Sequence, residues 1–276
     1  MTKGSPLSPG QLSDRLVEIR SGVWHPQSGV AEVSYPADSH SQQADHQDSS
    51  FWYQHRLGCL QALFGRFPTS QLLDVGSSNG KLAKALPETE VLLLEPGAQG
   101  VAIAESLGLQ PIIHADFQSA VFKPDVLPAV GLFDVLEHIE GDEAFLASVF
   151  ESLKPGGRLY LTVPAYMALW SPFDEAVGHF RRYTTGELRR KLERAGFVMV
   201  YRGYLFSLLP LPMWLVRKLR GMRGQAKNDV ADHAPANRGV GKLLSVLLRP
   251  EQAWIRRGWR VPFGSSCVVV AQKPMP

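Results

Sequence analysis

A chain of 276 residues with 45% hydrophobic side chains is long enough to bury one large core and still carry appendages. Its formal net charge of +3 withdraws general support for nucleic-acid binding, because the basic excess is local, in Arg217-Lys218-Leu219-Arg220 with Arg223 and in Arg249, Arg256, Arg257 and Arg260. Cys59 and Cys267 stand far apart without metal-ligand spacing, the start of the chain lacks the apolar stretch of a signal peptide, and no apolar run reaches the ~18 residues of a membrane span. A cytoplasmic protein without a metal is expected, with contact at a membrane surface left open.

Residues 1–48 are rich in Ser, Gln, Asp, His and Pro and can bury little, so they read as a partly disordered polar arm with one short helix over 11–20. Asp48-Ser49-Ser50 then caps a helix over 51–67, which Pro68 follows. Its apolar side, with Phe51, Trp52, Leu60 and Leu63, packs beside the first buried strand; either that is its whole purpose, or Phe51, Trp52, His55 and Arg56 also close over a ligand. The apolar run Gln71-Leu72-Leu73-Asp74-Val75 reads as that strand, Gly76-Ser77-Ser78-Asn79-Gly80 as a tight turn, and 82–86 as a helix that Pro87 ends. Val91-Leu92-Leu93-Leu94 is a second buried strand tipped by Glu95. Only small residues let backbone approach a ligand closely, and a carboxylate about twenty residues after such a turn can take both hydroxyls of a ribose. The dinucleotide pattern G-x-G-x-x-G is not met, since Ser-Ser-Asn separates Gly76 from Gly80, so a nicotinamide-dependent oxidoreductase is disfavoured.

A helix over 98–107 ends at Gly108, and Pro111-Ile112-Ile113 delivers His114-Ala115-Asp116-Phe117 to the carboxyl edge of the sheet, where open parallel sheets bind ligands. An acid beside a ring suits an adenine. Strand 128–134 runs into Phe133-Asp134-Val135-Leu136-Glu137-His138-Ile139, a helix follows over 142–153, and Lys154-Pro155-Gly156-Gly157 turns into strand 158–163. The loop 164–184, with Trp170, His179, Arg181, Arg182 and Tyr183, is too polar and too interrupted by Pro and Gly for core and reads as a ligand wall. Arg181 and Arg182 either hold an anionic substrate group or form a solvated face. Helix 187–195, strand 197–204 and a last strand over 265–272 complete the order, with about sixty residues inserted before the last strand.

The turn resembles the D-x-G-x-G-x-G motif of class I S-adenosylmethionine-dependent methyltransferases at Asp74, Gly76 and Gly80, and departs from it at Ser78, which narrows the approach of the methionine part. FDVLEHI and LKPGG also resemble that family's motifs, and FWYQHR resembles a leading segment of a bacterial subgroup. The resemblance spans about 51–204 and the last strand. It implies an α/β fold, a Rossmann-like seven-stranded, mostly parallel sheet with an antiparallel last strand and helices on both faces. It implies S-adenosyl-L-methionine at Asp74, Gly76, Ser78, Asn79, Gly80, Glu95 and Pro96, with Asp116 and Phe117 at the adenine, Phe133 and Asp134 lining the cofactor, and Arg56 near its carboxylate. His138, projecting toward the methyl, and His179 are then the candidate bases, with Asp174 or Tyr183 as partners, and Trp170, Arg181, Arg182 and Tyr183 face a small, partly apolar acceptor.

Domain organisation follows: an arm over 1–48, a core over 49–204, a helical insertion over 205–263 serving as lid, dimer contact or membrane contact, and a final strand and tail over 264–276. A second reading is a non-catalytic module that docks a partner or a membrane through 205–263.

Overall fold

In the computed structural model, residues 7–29, 50–77, 80–222 and 238–276 are described. Ser78 and Asn79 of the turn, most of the arm and the polar stretch 225–237 lie outside the described residues. The strands are β1 (Leu16–Arg20), β2 (Val23–Pro26), β3 (Gln71–Val75), β4 (Glu90–Leu94), β5 (Ile112–Ile113), β6 (Leu127–Phe133), β7 (Leu153–Pro164), β8 (Val198–Leu205) and β9 (Ser266–Gln272). They form one sheet in the order β1-β2-β5-β4-β3-β6-β7-β9-β8. Neighbours from β2 to β7 are parallel, β1 is antiparallel to β2, and β9 runs antiparallel between β7 and β8.

Every residue of β3 is buried, which is what a central parallel strand covered on both faces requires. Asp74 is therefore carried into the core by its own strand. One apolar cluster, with Leu73, Leu92, Leu132 and Leu161, fills one side of the sheet. Another, with Leu60, Leu63, Leu72 and Tyr160, lies beneath the helix Phe51–Arg66.

The structure corrects the reading of the arm. Instead of a helix over 11–20 there is one turn, Pro9–Leu12, followed by a hairpin of β1 and β2, so the sheet has nine strands rather than seven. Val17 and Ile19 are β-branched and two residues apart, a strand period. Gly22 turns the chain at φ 74°, and its carbonyl accepts the Ile112 N–H at 2.8 Å while Trp24 accepts that of His114 at 2.8 Å, which fastens the hairpin to β5.

The described residues of the insertion include the helices Pro210–Met222, Arg238–Leu247 and Arg249–Arg256. The last of these packs on the helix Phe51–Arg66 through a buried polar knot. Glu251 accepts from the Phe206 N–H at 2.8 Å and the Ser207 N–H at 2.6 Å, and its Oε2 lies 2.9 Å from His55 Nε2. Phe206 is held at φ 61° and stacks on Trp52 with ring centroids 5.2 Å apart, so the strained backbone is over-determined on both sides. Burial alone pushes the Glu251 carboxyl up, but the hydrogen bonds from His55 and Ser207 outweigh it and hold it below the ordinary glutamate value.

Removing Glu251 leaves two backbone N–H groups and His55 buried without their acceptor. Glu251→Ala is expected to lower unfolding free energy by about 3–5 kcal/mol in urea titrations, and Glu251→Gln by less. Because the folded-state value is depressed, this stabilisation is present above the unfolded-state carboxylate value and is lost as pH falls through the folded-state one. The gap between wild type and Glu251→Ala must therefore shrink in acid; a gap that widens would contradict the assignment.

Candidate active site

The carboxyl ends of β3, β4, β5 and β6 meet at one edge of the sheet. Gly76, at φ 65°, leaves β3 with its N–H on the Leu94 carbonyl at 2.9 Å, and a Cβ there would stand 2.9 Å from a methyl of Val135. Gly80, at φ 64°, starts the helix Lys81–Ala85, and a Cβ on it would collide with Leu109. The turn is thus a cradle that only glycine can make at these two points. Asp74 lies under it, its carboxyl pushed up to about 7 by burial, with the Arg56 guanidinium pulling it down and Glu95 pushing it further up. Glu95 is buried, and one of its oxygens accepts the Gly97 N–H at 2.8 Å. Pro96, half-buried, accepts a hydrogen bond from the His114 ring, which also meets His25 of β2 at 3.2 Å.

Asp116 caps the short helix Phe117–Ala120, accepting the Gln118 and Ser119 N–H groups at 2.8 Å and the Ser119 hydroxyl at 2.8 Å. The cap turns Phe117 inward. Its ring packs against Phe122 and Phe145 in the core, which corrects the expectation that it covers a ligand face. Phe133 packs partly buried over Gly131, toward Phe64.

Arg56 reaches across from the helix Phe51–Arg66 to Asp134, Nη2 to Oδ2 at 2.6 Å, with its guanidinium also over the Trp52 ring at 5.5 Å. Asp134 sits at φ 60°, its other oxygen accepting from the Thr162 hydroxyl at 3.2 Å. Arg56 also pulls down the carboxyls of Asp74 and Glu137, so one guanidinium serves three acids. Its Nε and the Ser77 hydroxyl are buried donors that find no partner among the described residues.

Beyond β6 a single 3-10 turn, Leu136–His138, carries Glu137 and His138. Glu137 is fully buried, neither oxygen has a hydrogen-bond partner among the described residues, and burial followed by Asp134 pushes its carboxyl well above the ordinary range. His179 stands edge-on to His138 with ring centroids 4.6 Å apart, and its Nε2 is 3.9 Å from Glu137 Oε1. Burial and the neighbouring His179 push His138 down to about 4, so its ring is neutral at physiological pH; it hydrogen-bonds to the Gly178 and Val177 backbone.

The other face of His179 is fixed. Nδ1 donates to Asp174 at 2.8 Å, and that buried carboxylate also takes Arg182 Nε and Nη2 at 2.8 and 2.9 Å and the Ser171 N–H at 2.8 Å. Burial opposes the charge on Asp174, but these donors hold its carboxyl well below the ordinary range.

Three residues expected to face a substrate turn elsewhere. In extended chain, successive side chains alternate, so Arg182 goes to Asp174 while Arg181 and Tyr183 go to Asp142 on the other side, at 3.1 and 2.9 Å. Both arginines are therefore committed to carboxylates, and Tyr183 is core. Trp170 is half-buried, its indole N–H donating to Glu175 at 3.2 Å. Glu137 and Ser77 were missed; a glutamate directly before His138 on a turn after a buried strand was the available signal.

A family model described as a methyltransferase domain matches residues 28–202. The chain is 30% identical over 145 residues to the trans-aconitate 2-methyltransferase of Deinococcus radiodurans, covering 46% of this chain and 54% of that protein. It is 28% identical over 114 residues to the ubiquinone biosynthesis O-methyltransferase of Xanthomonas campestris pv. campestris, covering 37% and 48%. The chain thus spans about half the length of these relatives. Among solved structures, a methyltransferase complexed with the Haloferax volcanii Trm112 activator has a TM-score of 0.56 at 17% identity, covering 87% of this chain and 95% of that one. With the family model covering well over half of its length, the chain belongs to the methyltransferase-domain family.

Proposed function

We propose that the protein transfers a methyl group from S-adenosylmethionine to an oxygen of a small, partly apolar acceptor. The observation that carries this is the gathering of the glycine cradle, Asp74, Glu95 and Arg56 at one edge of the sheet, with two buried donors, Arg56 Nε and Ser77 Oγ, lacking partners among the described residues. Two buried donors suit a carboxylate such as that of the methionine part. The names of both curated relatives support the reaction class, and that of the ubiquinone-pathway relative supports oxygen as the acceptor atom.

When bound, S-adenosylmethionine supplies a methyl carbon made electrophilic by its sulfonium. In this reading Gly76 and Gly80, with Ser78 and Asn79 between them, let backbone N–H groups approach it. Glu95 takes the ribose hydroxyls, Pro96 shapes the same wall, and Asp116 accepts from the adenine amine while capping its helix. Asp134 and Phe133 line the cavity, and Trp170 contributes to the acceptor wall. Alignment and exclusion of water do most of the work in such an in-line displacement. A hydroxyl acceptor must also lose a proton. With His179 Nδ1 donating to Asp174, Nε2 keeps its lone pair to receive it, and Asp174 stabilises the resulting imidazolium.

A second reading, contact with a membrane surface through 205–263, is favoured by the exposed side chains of Leu211, Leu215, Leu243, Val246 and Leu247, with Lys218 over Trp214 at 4.8 Å. No helix among the described residues is long and apolar enough to cross a membrane.

Four outcomes are expected. S-adenosylhomocysteine should bind in calorimetry and Glu95→Gln should weaken it at least about tenfold. Because Asp74 titrates at about 7 without ligand and a ligand ammonium beside it favours the carboxylate, binding at pH 6.5 should release a proton, read as a buffer-dependent enthalpy; heat that is absent at millimolar ligand counts against the whole reading. His179→Ala should lower kcat by about 10²–10⁴ with little change in cofactor affinity. Flotation with anionic liposomes should depend on Leu211 and Leu215 if the second reading holds, and a chain that stays unbound sinks it.

A further inference from the structure

We propose that Glu137, His138 and His179 bind one divalent transition-metal ion. One donor atom from each lies within 4.8 Å of the other two. Ligands of an ion bound at ~2.1 Å sit roughly 3–3.5 Å apart, so closing the site asks only for small side-chain rotations.

Three observations point inward to the same spot. Glu137 is fully buried with both oxygens unpartnered among the described residues, and such a carboxylate calls for an ion, a proton or water. The guanidiniums that act on it are engaged elsewhere, Arg182 in a fork to Asp174 and Arg56 on Asp134. His179 presents Nε2 to Glu137 because Asp174 holds its Nδ1–H, and Arg182 and Ser171 hold Asp174. That is the carboxylate–histidine pairing which orients and strengthens an imidazole ligand. His138 completes a set of two nitrogens and one oxygen, which suits zinc, manganese or iron better than magnesium or calcium and leaves coordination positions open.

What the ion does rests on the methyl-transfer reading, although its binding does not. An acceptor hydroxyl on an open position is acidified by the metal and gives its proton to solvent. The oxygen then forms the bond to the methyl carbon as the carbon–sulfur bond breaks, and sulfur leaves as a neutral thioether. His179 acts here as a ligand rather than as the base.

A second group, His55, Cys59 and Glu251, also lies within 4.8 Å. Glu251 is already saturated by Phe206, Ser207 and His55, so this group is a latch.

The test uses the full chain, stripped with chelator, dialysed and titrated with Co²⁺ as the probe, with Zn²⁺ in competition. One equivalent should give visible d–d absorption without a thiolate charge-transfer band. Glu137→Gln and His179→Ala should each lower affinity by more than about 100-fold, and Asp174→Asn, which only positions His179, by about 10–100-fold. Circular dichroism checks that each variant is folded. Absent binding, binding unchanged in Glu137→Gln, or a thiolate band from Cys59 overturns the proposal. S-adenosylhomocysteine titrated into the same samples separates the two readings: cofactor binding without cobalt removes this inference alone, and cobalt without cofactor removes methyl transfer alone.

Discussion

The Arg56 guanidinium is what allows the carboxyl edge of this sheet to be so acidic. Asp74, Glu95, Asp134 and Glu137 crowd the ends of β3, β4 and β6, and acids that close to one another in a poorly solvated place repel and protonate unless a cation stands among them. Arg56 pairs directly with Asp134 and pulls down Asp74 and Glu137. Asp74 still ends near 7, because burial outweighs the pull of the cation and Glu95 adds to it. A site poised this way gains electrostatic stabilisation when a positively charged ligand arrives, and a sulfonium cofactor carrying an ammonium is one.

Arg56 keeps its place through its neighbour. His55, one residue earlier, meets Glu251 of the insertion, while Trp52 one turn back lies against both the Arg56 guanidinium and the Phe206 ring. The insertion over 205–263 is therefore tied to the helix that carries the site's cation.

The loop after β7 solves the same problem with a second cation. Arg182 neutralises Asp174, which then fixes the His179 ring, and the fully buried Glu137 is left facing that ring. The two clusters meet at Asp134 and Glu137, whose carboxyls act on each other. The cofactor side and the acceptor side of the proposed reaction are thus electrostatically one site.

Short-range chemistry was readable along the chain. An apolar run, a glycine bend and a helix start each depend on residues next to one another, so the unit from Gln71 to Glu95 and the turn carrying His138 could be recognised before any coordinates. Partners distant along the chain could not. Whether Arg182 meets a substrate or Asp174, whether Phe117 covers a ligand or fills the core, and whether Val17 and Ile19 form a strand all depend on what folding brings alongside them. A side chain's direction within a loop is set by long-range packing and charge pairing, which neighbouring residues do not encode, and that is why the elements were legible while the orientation of the site's arginines and aromatics was decided only in three dimensions.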